Sequence, residues 1–342
     1  MTPQAALNAL IEKTDLSAEE MTSVMNQVMS GELTPVQIAG IVVALRSKGE
    51  TVQEIAAAAR VMRKLSAKVD VPEDVHLIDT CGTGGDGTHT FNISTASAIV
   101  AASAGAKVAK HGGRSVSSTC GSADVLEHLG VNVNLAPVDV ARSIMEVGLG
   151  FMFAPAHHSA MRFAAPVRRE LGVRTIFNLL GPMTNPASAK NQVIGVYHAD
   201  LVTKFAEVLK ILGSGHVLVV HGMDGLDEIS IGAETCVAEL KEGEILEYRL
   251  SPENFGLKRS PIETIRVKTG EEAKKLLLDA LENRPGPARD IVALNAGASI
   301  YIAGLAADLR EGVEKAEFQI SSGAARKKLD ELIAFTTSIK AG

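Results

Sequence analysis

The stretch Asp79-Thr80-Cys81-Gly82-Thr83-Gly84-Gly85-Asp86 is the first place where residue types and spacing suit chemistry. It follows the apolar run His76-Leu77-Ile78 and precedes Asn92-Ile93-Ser94-Thr95, which opens an apolar helical run. Gly82, Gly84 and Gly85 leave a backbone without Cβ atoms to block close approach. Amide N–H groups in such a turn, next to a helix N-terminus, converge on an anion. Asp79 and Asp86 would repel a bare phosphate. A phosphate carried with a magnesium ion, or a polyhydroxylated sugar phosphate, removes the conflict. The spacing is neither G-x-G-x-x-G nor a P-loop, because no Gly-Lys-Ser/Thr follows.

Three further stretches add to this. Lys110-His111-Gly112-Gly113-Arg114-Ser115-Val116-Ser117-Ser118 places cations, glycines and hydroxyls directly after a strand, a set that suits a diphosphate. Asp227-Glu228 follows the apolar strand 216–220, and adjacent hard carboxylates there suit Mg2+, which keeps several waters and bridges to substrate phosphates. The third runs from Phe153 through His157-His158 to Arg168. Adjacent histidine side chains diverge, so without a third ligand they read as supporting or packing groups, whereas Arg168 could pair a substrate carboxylate bidentately. The run Asn178 to Pro186 reads as a buried turn with a structural job. Taken singly, each stretch also has a plain reading as a tight turn, a basic surface loop or a solvated acidic pair.

The elements that must position these residues fall into two parts. Thr2-Pro3 opens a helix with Leu7, Leu10 and Ile11 on one face. Ser17-Ala18-Glu19-Glu20 and Thr51-Val52-Gln53-Glu54 are capping boxes, and Thr34-Pro35 starts a helix with Ile38, Ile41, Val42 and Leu45 inward. Gly31 and Gly49 end two of these helices. This part, 1–70, is an α-helical domain that some later helices join, and Val71-Pro72-Glu73-Asp74 is a hinge. The remainder, 71–342, alternates short β-rich runs with helices. Strands are expected at 76–79, 107–110, 131–135, 150–154, 192–196 and 216–220, with a hairpin around Lys241-Glu242-Gly243-Glu244 and a helical end. The fold class is α/β, a small helical domain plus a larger one with a mostly parallel sheet covered by helices.

Composition bounds the partners. The chain has 342 residues, 46% apolar and 22% charged, which fits a soluble globular protein of two unequal domains. A net charge of −6, 4% aromatic residues and no Trp argue against nucleic acid or an anionic membrane as a partner. Cys81, Cys120 and Cys236 form neither a disulfide framework nor a zinc pattern, which fits a reducing, cytoplasmic location. No signal peptide is expected, and the longest apolar stretch, Ala98 to Ala106, is far too short to span a membrane.

Read together and in order, Gly82-Thr83-Gly84-Gly85-Asp86, Asn92-Ile93-Ser94-Thr95, Lys110-His111-Gly112, Gly121-Ser122-Ala123-Asp124, Arg168 through Pro186, and Gly225-Leu226-Asp227-Glu228 resemble the anthranilate phosphoribosyltransferases over nearly the whole chain. The resemblance implies a nucleoside-phosphorylase-like fold, a homodimer, and an active site in the cleft between the domains. It implies that phosphoribosyl pyrophosphate (PRPP) lies against Gly82, Gly85, Asp86, Thr90, Asn92, Ile93, Ser94, Thr95, the loop Lys110, His111, Gly112, Gly113, Arg114, Ser115, Val116, Ser117, Ser118, and Ser122. Magnesium, as two ions, is implied at Ser94, Asp227 and Glu228, and anthranilate at Gly82, Gly113 and Arg168. One departure falls on a functional position. The family's loop reads Lys-His-Gly-Asn-Arg and its Asn touches anthranilate, whereas this chain has Gly113; Thr119-Cys120 also replaces the usual Lys-Ser. Loss of that amide weakens anthranilate binding by about 1 kcal/mol or more.

The reaction so implied transfers ribose 5-phosphate from PRPP to the amine of anthranilate, a step of tryptophan biosynthesis. An arylamine is uncharged at neutral pH, so no strong general base is needed, and none is evident. Positioning and stabilisation of the leaving pyrophosphate by Mg2+, Lys110 and Arg114 carry the expected catalysis. The alternatives are an arylamine transferase weakened or altered in specificity by Gly113, a pyrimidine nucleoside phosphorylase on the same fold, and a non-catalytic relative that holds PRPP.

Overall fold

The computed structural model describes residues 1–72, 76–114 and 120–339. The chain begins with four helices, α1 (Pro3–Ile11), α2 (Ala18–Ser30), α3 (Pro35–Lys48) and α4 (Val52–Leu65). Thr2 caps α1, and Ser17, Thr34 and Thr51 each accept an N3 amide while the N3 side chain returns to the cap backbone. Gly31 ends α2 in the left-handed region. Leu10 is buried as expected, but Ile11 is 63% exposed, because the 3.6-residue period turns it away from its neighbour.

Strands and helices then alternate: β1 (Leu77–Gly82), α5 (Ile93–Ser103), β2 (Lys107–Gly112), α6 (Ser122–His128), α7 (Pro137–Glu146), β3 (Leu149–Phe153), α8 (Ala154–His157), α9 (Ala165–Leu171), α10 (Phe177–Leu180), β4 (Asn191–Gly195), α11 (Leu201–Ile211) and β5 (Val217–Gly222). β6 (Thr235–Lys241) and β7 (Glu244–Leu250) form the expected hairpin, with Glu242 and Gly243 both at positive φ, as a two-residue turn requires. Helices α12 (Gly270–Leu281), α13 (Pro287–Ile302), α14 (Leu309–Ser321) and α15 (Ala324–Ser338) follow.

The seven strands lie in the order β3-β2-β1-β4-β5-β6-β7. The first five are parallel, and β6 and β7 are antiparallel, so the sheet is mixed. Alternate residues feed two large cores, and Ala109 and Met152 feed a smaller one with α7. Ile78, Val108, Val193, Leu218 and Val220 pack with α5 and α12 to α15. Cys81, Ile194, Val217 and Val219 pack with α11 and with α2 to α4, so the N-terminal helices share one continuous core with a sheet face. Arg63 on α4 reinforces that junction, donating to the carbonyl oxygens of Met183 (2.6 Å) and of Leu212 (3.4 Å) at the end of α11.

One expected strand is absent. Residues 131–135 alternate buried and exposed like a strand, yet belong to none of the seven. Val131 and Val133 pack into the helical layer, and the Asn132 amide donates to Thr336 Oγ1 on α15 (3.2 Å). Burial against helices produces the same period-two pattern as a ladder does. Of the expected hinge, Glu73 and Asp74 lie outside the described residues.

Chain order reverses between β1 and β4: β2 and β3 lie on one side, and β5 to β7 on the other. In an open α/β sheet, ligands bind outside the carboxyl ends of the strands at such a point. Registers Gly82↔Gly195 and Gly195↔Val220 bring the ends of β1, β4 and β5 to one level.

Candidate active site

The loop after β1 is a glycine turn. Gly84, Gly85 and Gly87 have φ of 64°, 73° and 74°, which L side chains rarely adopt. Thr83 ties the turn to β4: its N–H donates to Gly195 O (2.9 Å), and its hydroxyl accepts from the Tyr197 amide (3.1 Å). Asp86 accepts from the amide and the hydroxyl of Thr88.

Asp227 lies against this turn because two glycines allow it. A Cβ on Gly82 would stand 2.4 Å from Asp227 Oδ2, and one on Gly195 would stand 1.5 Å from the Asp227 carbonyl oxygen. The Gly84 amide donates to Asp227 Oδ2 (2.8 Å). Glu228 turns to the start of α5, where the Ser94 amide donates to its Oε1 (3.1 Å), a favourable place for a carboxylate. Asn295, fully buried on α13, holds the next residue at both ends: it accepts from Ile229 N–H and donates to Ile229 O, each at 2.9 Å. The acidic pair is therefore built on rigid backbone.

Burial raises the carboxyl pKa of Asp227 well above the ordinary value, and the charges of Asp86 and Glu228 raise it further. Burial lifts Glu228 to about 7, opposed by Lys110 and reinforced by Asp86. Hard oxygen donors crowded until they resist ionisation fit a divalent cation. Among the described residues no three His, Cys, Asp or Glu side chains converge into a metal cage. Two carboxylates beside the Ser94 hydroxyl suit a cation that takes its other ligands from water and substrate.

Beneath them lies Lys110, on β2 and buried. Its Nζ donates to Thr80 O (2.6 Å) and Ser94 Oγ (3.1 Å). Burial lowers its pKa, while Asp79, Cys81, Glu228 and Asp227 raise it. Asp79 faces away from the ligand side altogether. It is fully buried and accepts from the His111 amide (3.2 Å) and from Asn185 Nδ2 (2.9 Å). Burial raises its pKa, and Lys110 opposes this.

At the start of α5, Asn92 Oδ1 and Thr95 Oγ1 are buried and find no partner among the described residues. Asn92 Nδ2 donates to Cys120 O (3.0 Å). The Ile93 side chain is in the core, so only its backbone can meet a ligand. Thr90 pairs with Arg266 in an isolated bridge. Gly112 leaves room for Ser122, whose Oγ a Cβ there would overlap at 2.2 Å, and Ser122 Oγ donates to Gly113 O (3.3 Å). Arg114 is exposed, bound to Asp124 and Glu127 and set over the Phe153 ring. Ser115, Val116, Ser117 and Ser118 lie outside the described residues, as does Thr119.

Arg168, on α9, is half-buried over the Phe177 ring, its centre 5.6 Å from the ring centroid. Burial lowers its pKa, and no carboxylate among the described residues pairs with it. The His111 and His158 rings lie 5.0 Å apart, tilted by 58°, and their Nε2 atoms are buried with no partner among the described residues. Burial pushes them to about 3 and about 4, aided by neighbouring His157 and, for His111, His158, so both are neutral at pH 7. Among the described residues, a Cβ added at Gly113 would meet only Ala154 Cβ, at 3.9 Å.

The structure thus gathers Gly82, Asp86, Ser94, Asp227 and Glu228 above Lys110. Sequence reasoning missed Gly195, Arg174 and Asn295, and the hydrogen bonds that hold Asp79 to the His111 amide and Asn185. Asn295 left a trace, a lone amide in the apolar run from Ile291 to Ile302.

Comparison with known proteins agrees with this geometry. A family model described as glycosyl transferase family, a/b domain, matches residues 74–326, and one described as its helical bundle domain matches residues 4–66. The chain belongs to this glycosyl transferase family. Within it, the chain belongs to the anthranilate phosphoribosyltransferases. It is 59% identical to the anthranilate phosphoribosyltransferase of Thiobacillus denitrificans over 340 residues, 99% of each chain. The crystal structure of the Thermus thermophilus enzyme superposes with a TM-score of 0.91 at 46% identity, covering 97% of this chain and 99% of that one. The Saccharomyces cerevisiae enzyme in complex with PRPP and Mg gives a TM-score of 0.89 at 27% identity, with 98% of each chain covered.

Proposed function

We propose that this chain transfers the 5-phosphoribosyl group of PRPP to the amine of anthranilate, giving N-(5-phosphoribosyl)anthranilate and pyrophosphate for tryptophan biosynthesis. The observation that supports this is the acidic pair, half-buried Asp227 and buried Glu228, set against a glycine turn and the start of α5, with the Gly84 and Ser94 amides donating to their carboxylates. Acids and anion-binding amides share one site only where a cation joins a phosphate to the carboxylates. The same pair disfavours a phosphorylase, which needs no metal carboxylates.

In this reading Ser94, Asp227 and Glu228 hold Mg2+, as two ions, which neutralises the pyrophosphate when bound. The donor lies against Gly82, Gly85, Asp86, Thr90, the start of α5 from Asn92 to Thr95, the loop from Lys110 to Ser118, and Ser122. Asn92 Oδ1 and Thr95 Oγ1 are free to accept from its hydroxyls. Lys110 acts from below, fixing Ser94 Oγ and offsetting the charge of Glu228. Arg168 takes the anthranilate carboxylate, which completes its missing ion pair, with Gly82 and Gly113 beside the acceptor. The amine attacks with its own lone pair, so the protein's part is alignment and charge stabilisation.

We also place the division between helical and α/β units near residue 70, and a homodimer contact on α1 and α3. These two helices pack together and expose Ile11, Val36 and Val43.

With PRPP and Mg2+, anthranilate fluorescence falls as turnover proceeds. Asp227→Asn combined with Glu228→Gln lowers kcat/KM by about 100-fold or more with little change in thermal midpoint. Wild-type-like turnover of that variant at limiting Mg2+ overturns the metal assignment, and no consumption of anthranilate by the native chain overturns the substrate. Gly113→Asn fits without clash and lowers KM for anthranilate about fivefold or more, from about 1 kcal/mol of restored hydrogen bonding; an unchanged KM contradicts it. Light scattering reports twice the chain mass, and a single-chain mass contradicts the dimer.

A further inference from the structure

The glycine turn has almost no side chains with which to hold itself. Gly84, Gly85 and Gly87 all stand at positive φ, and glycine loses more conformational freedom than any other residue when ordered. The turn must therefore be held from outside. On one flank Asp227 accepts from the Gly84 amide. On the other, Arg174 donates from Nη2 to the carbonyl oxygen of Gly85.

Arg174 is itself aligned. Its guanidinium lies 4.1 Å from the centroid of the Tyr197 ring, and Tyr197 donates its amide to the hydroxyl of Thr83. Arg174, Tyr197, Thr83 and Gly85 so form a closed circuit around the turn. Arg174 makes no ion pair with any described residue, so the Gly85 carbonyl and the Tyr197 face are its partners. Its own segment is fixed at both ends: Gly172, at φ 63°, closes α9 with its amide on Arg168 O (3.2 Å), and the Thr175 amide donates to Asn178 Oδ1 (2.9 Å).

The peptide plane supplies the consequence. In a trans peptide the C=O and the following N–H point in opposite directions. Drawing the Gly85 carbonyl toward Arg174 therefore aims the Asp86 amide the other way and presets it as an anion donor.

We infer that Arg174 is a positioning residue that straps the glycine turn from outside and presets its amides for the pyrophosphate of the donor. This rests on the reading of the turn as a PRPP site. Arg174 touches neither reacting atom, so its loss should appear as donor affinity rather than as chemistry.

The test compares Arg174→Ala, Arg174→Lys and the native chain. Hydrogen exchange, without ligand, should show amides 84–87 of the alanine variant exchanging about tenfold faster, the equivalent of one charged hydrogen bond. Calorimetry with Mg2+ and PRPP should show affinity about tenfold weaker, and steady-state kinetics a raised KM for PRPP with kcat within about twofold. Arg174→Lys should recover part of both, because it keeps a cationic donor but not the stacked fork. Unchanged exchange at 84–87 overturns the strap. So does a thermal midpoint that falls equally in both variants with PRPP affinity untouched. If the native chain binds no PRPP, the functional reading fails, while the exchange data still decide whether Arg174 holds the turn.

Discussion

A single buried cation holds the candidate site together. Lys110 is buried and donates to Thr80 O and Ser94 Oγ, and the charges of Asp79, Glu228 and Asp227 favour its protonated form. A lone ammonium at that depth would shed its proton, and lone carboxylates would take one up. Together their opposite charges offset the cost that burial places on each. Asp79 is also bound by the His111 amide and Asn185. Asp227 and Glu228 are crowded until they resist ionisation, a cost that a bound cation would relieve.

This explains why acids and an anion-binding turn can share one crevice. Gly82 and Gly195, paired across β1 and β4, let the Asp227 backbone and carboxylate rest directly on the sheet's edge. Any side chain at Gly195 would collide with backbone that cannot yield. The reversal of chain order between β1 and β4 opens the crevice, and the glycines bring the carboxylates into it. The neighbouring surface differs in character: two neutral histidines, Phe177 and one arginine that has no acid partner among the described residues.

The helical N-terminus, the strand–helix alternation, the hairpin and the chemistry-bearing loops could be read from sequence because each rests on local rules. Capping boxes at Ser17 and Thr51, and the pattern Glu242-Gly243, state their structure in four residues or fewer. The segment 131–135 misled because alternation records burial, not pairing. Asp79 posed a puzzle in sequence, and only the fold shows it buried and bound to the His111 amide and Asn185. Gly195, Arg174 and Asn295 could not be found locally, since each acts on residues that are distant in the chain: Asp227, Gly85 and Ile229. Arg114 illustrates the reverse case, a cation in a promising motif that the fold engages with Asp124 and Glu127.

The charge coupling between buried Lys110 and buried Asp79 is most directly tested by a double-mutant cycle with Lys110→Met and Asp79→Asn, read by urea unfolding. Lys110→Met alone should cost about 3–5 kcal/mol, because it strands buried carboxylates. Adding Asp79→Asn should return a good part of that cost, so the double variant is more stable than the sum of the single changes predicts. Strict additivity, within about 0.5 kcal/mol, would contradict the account.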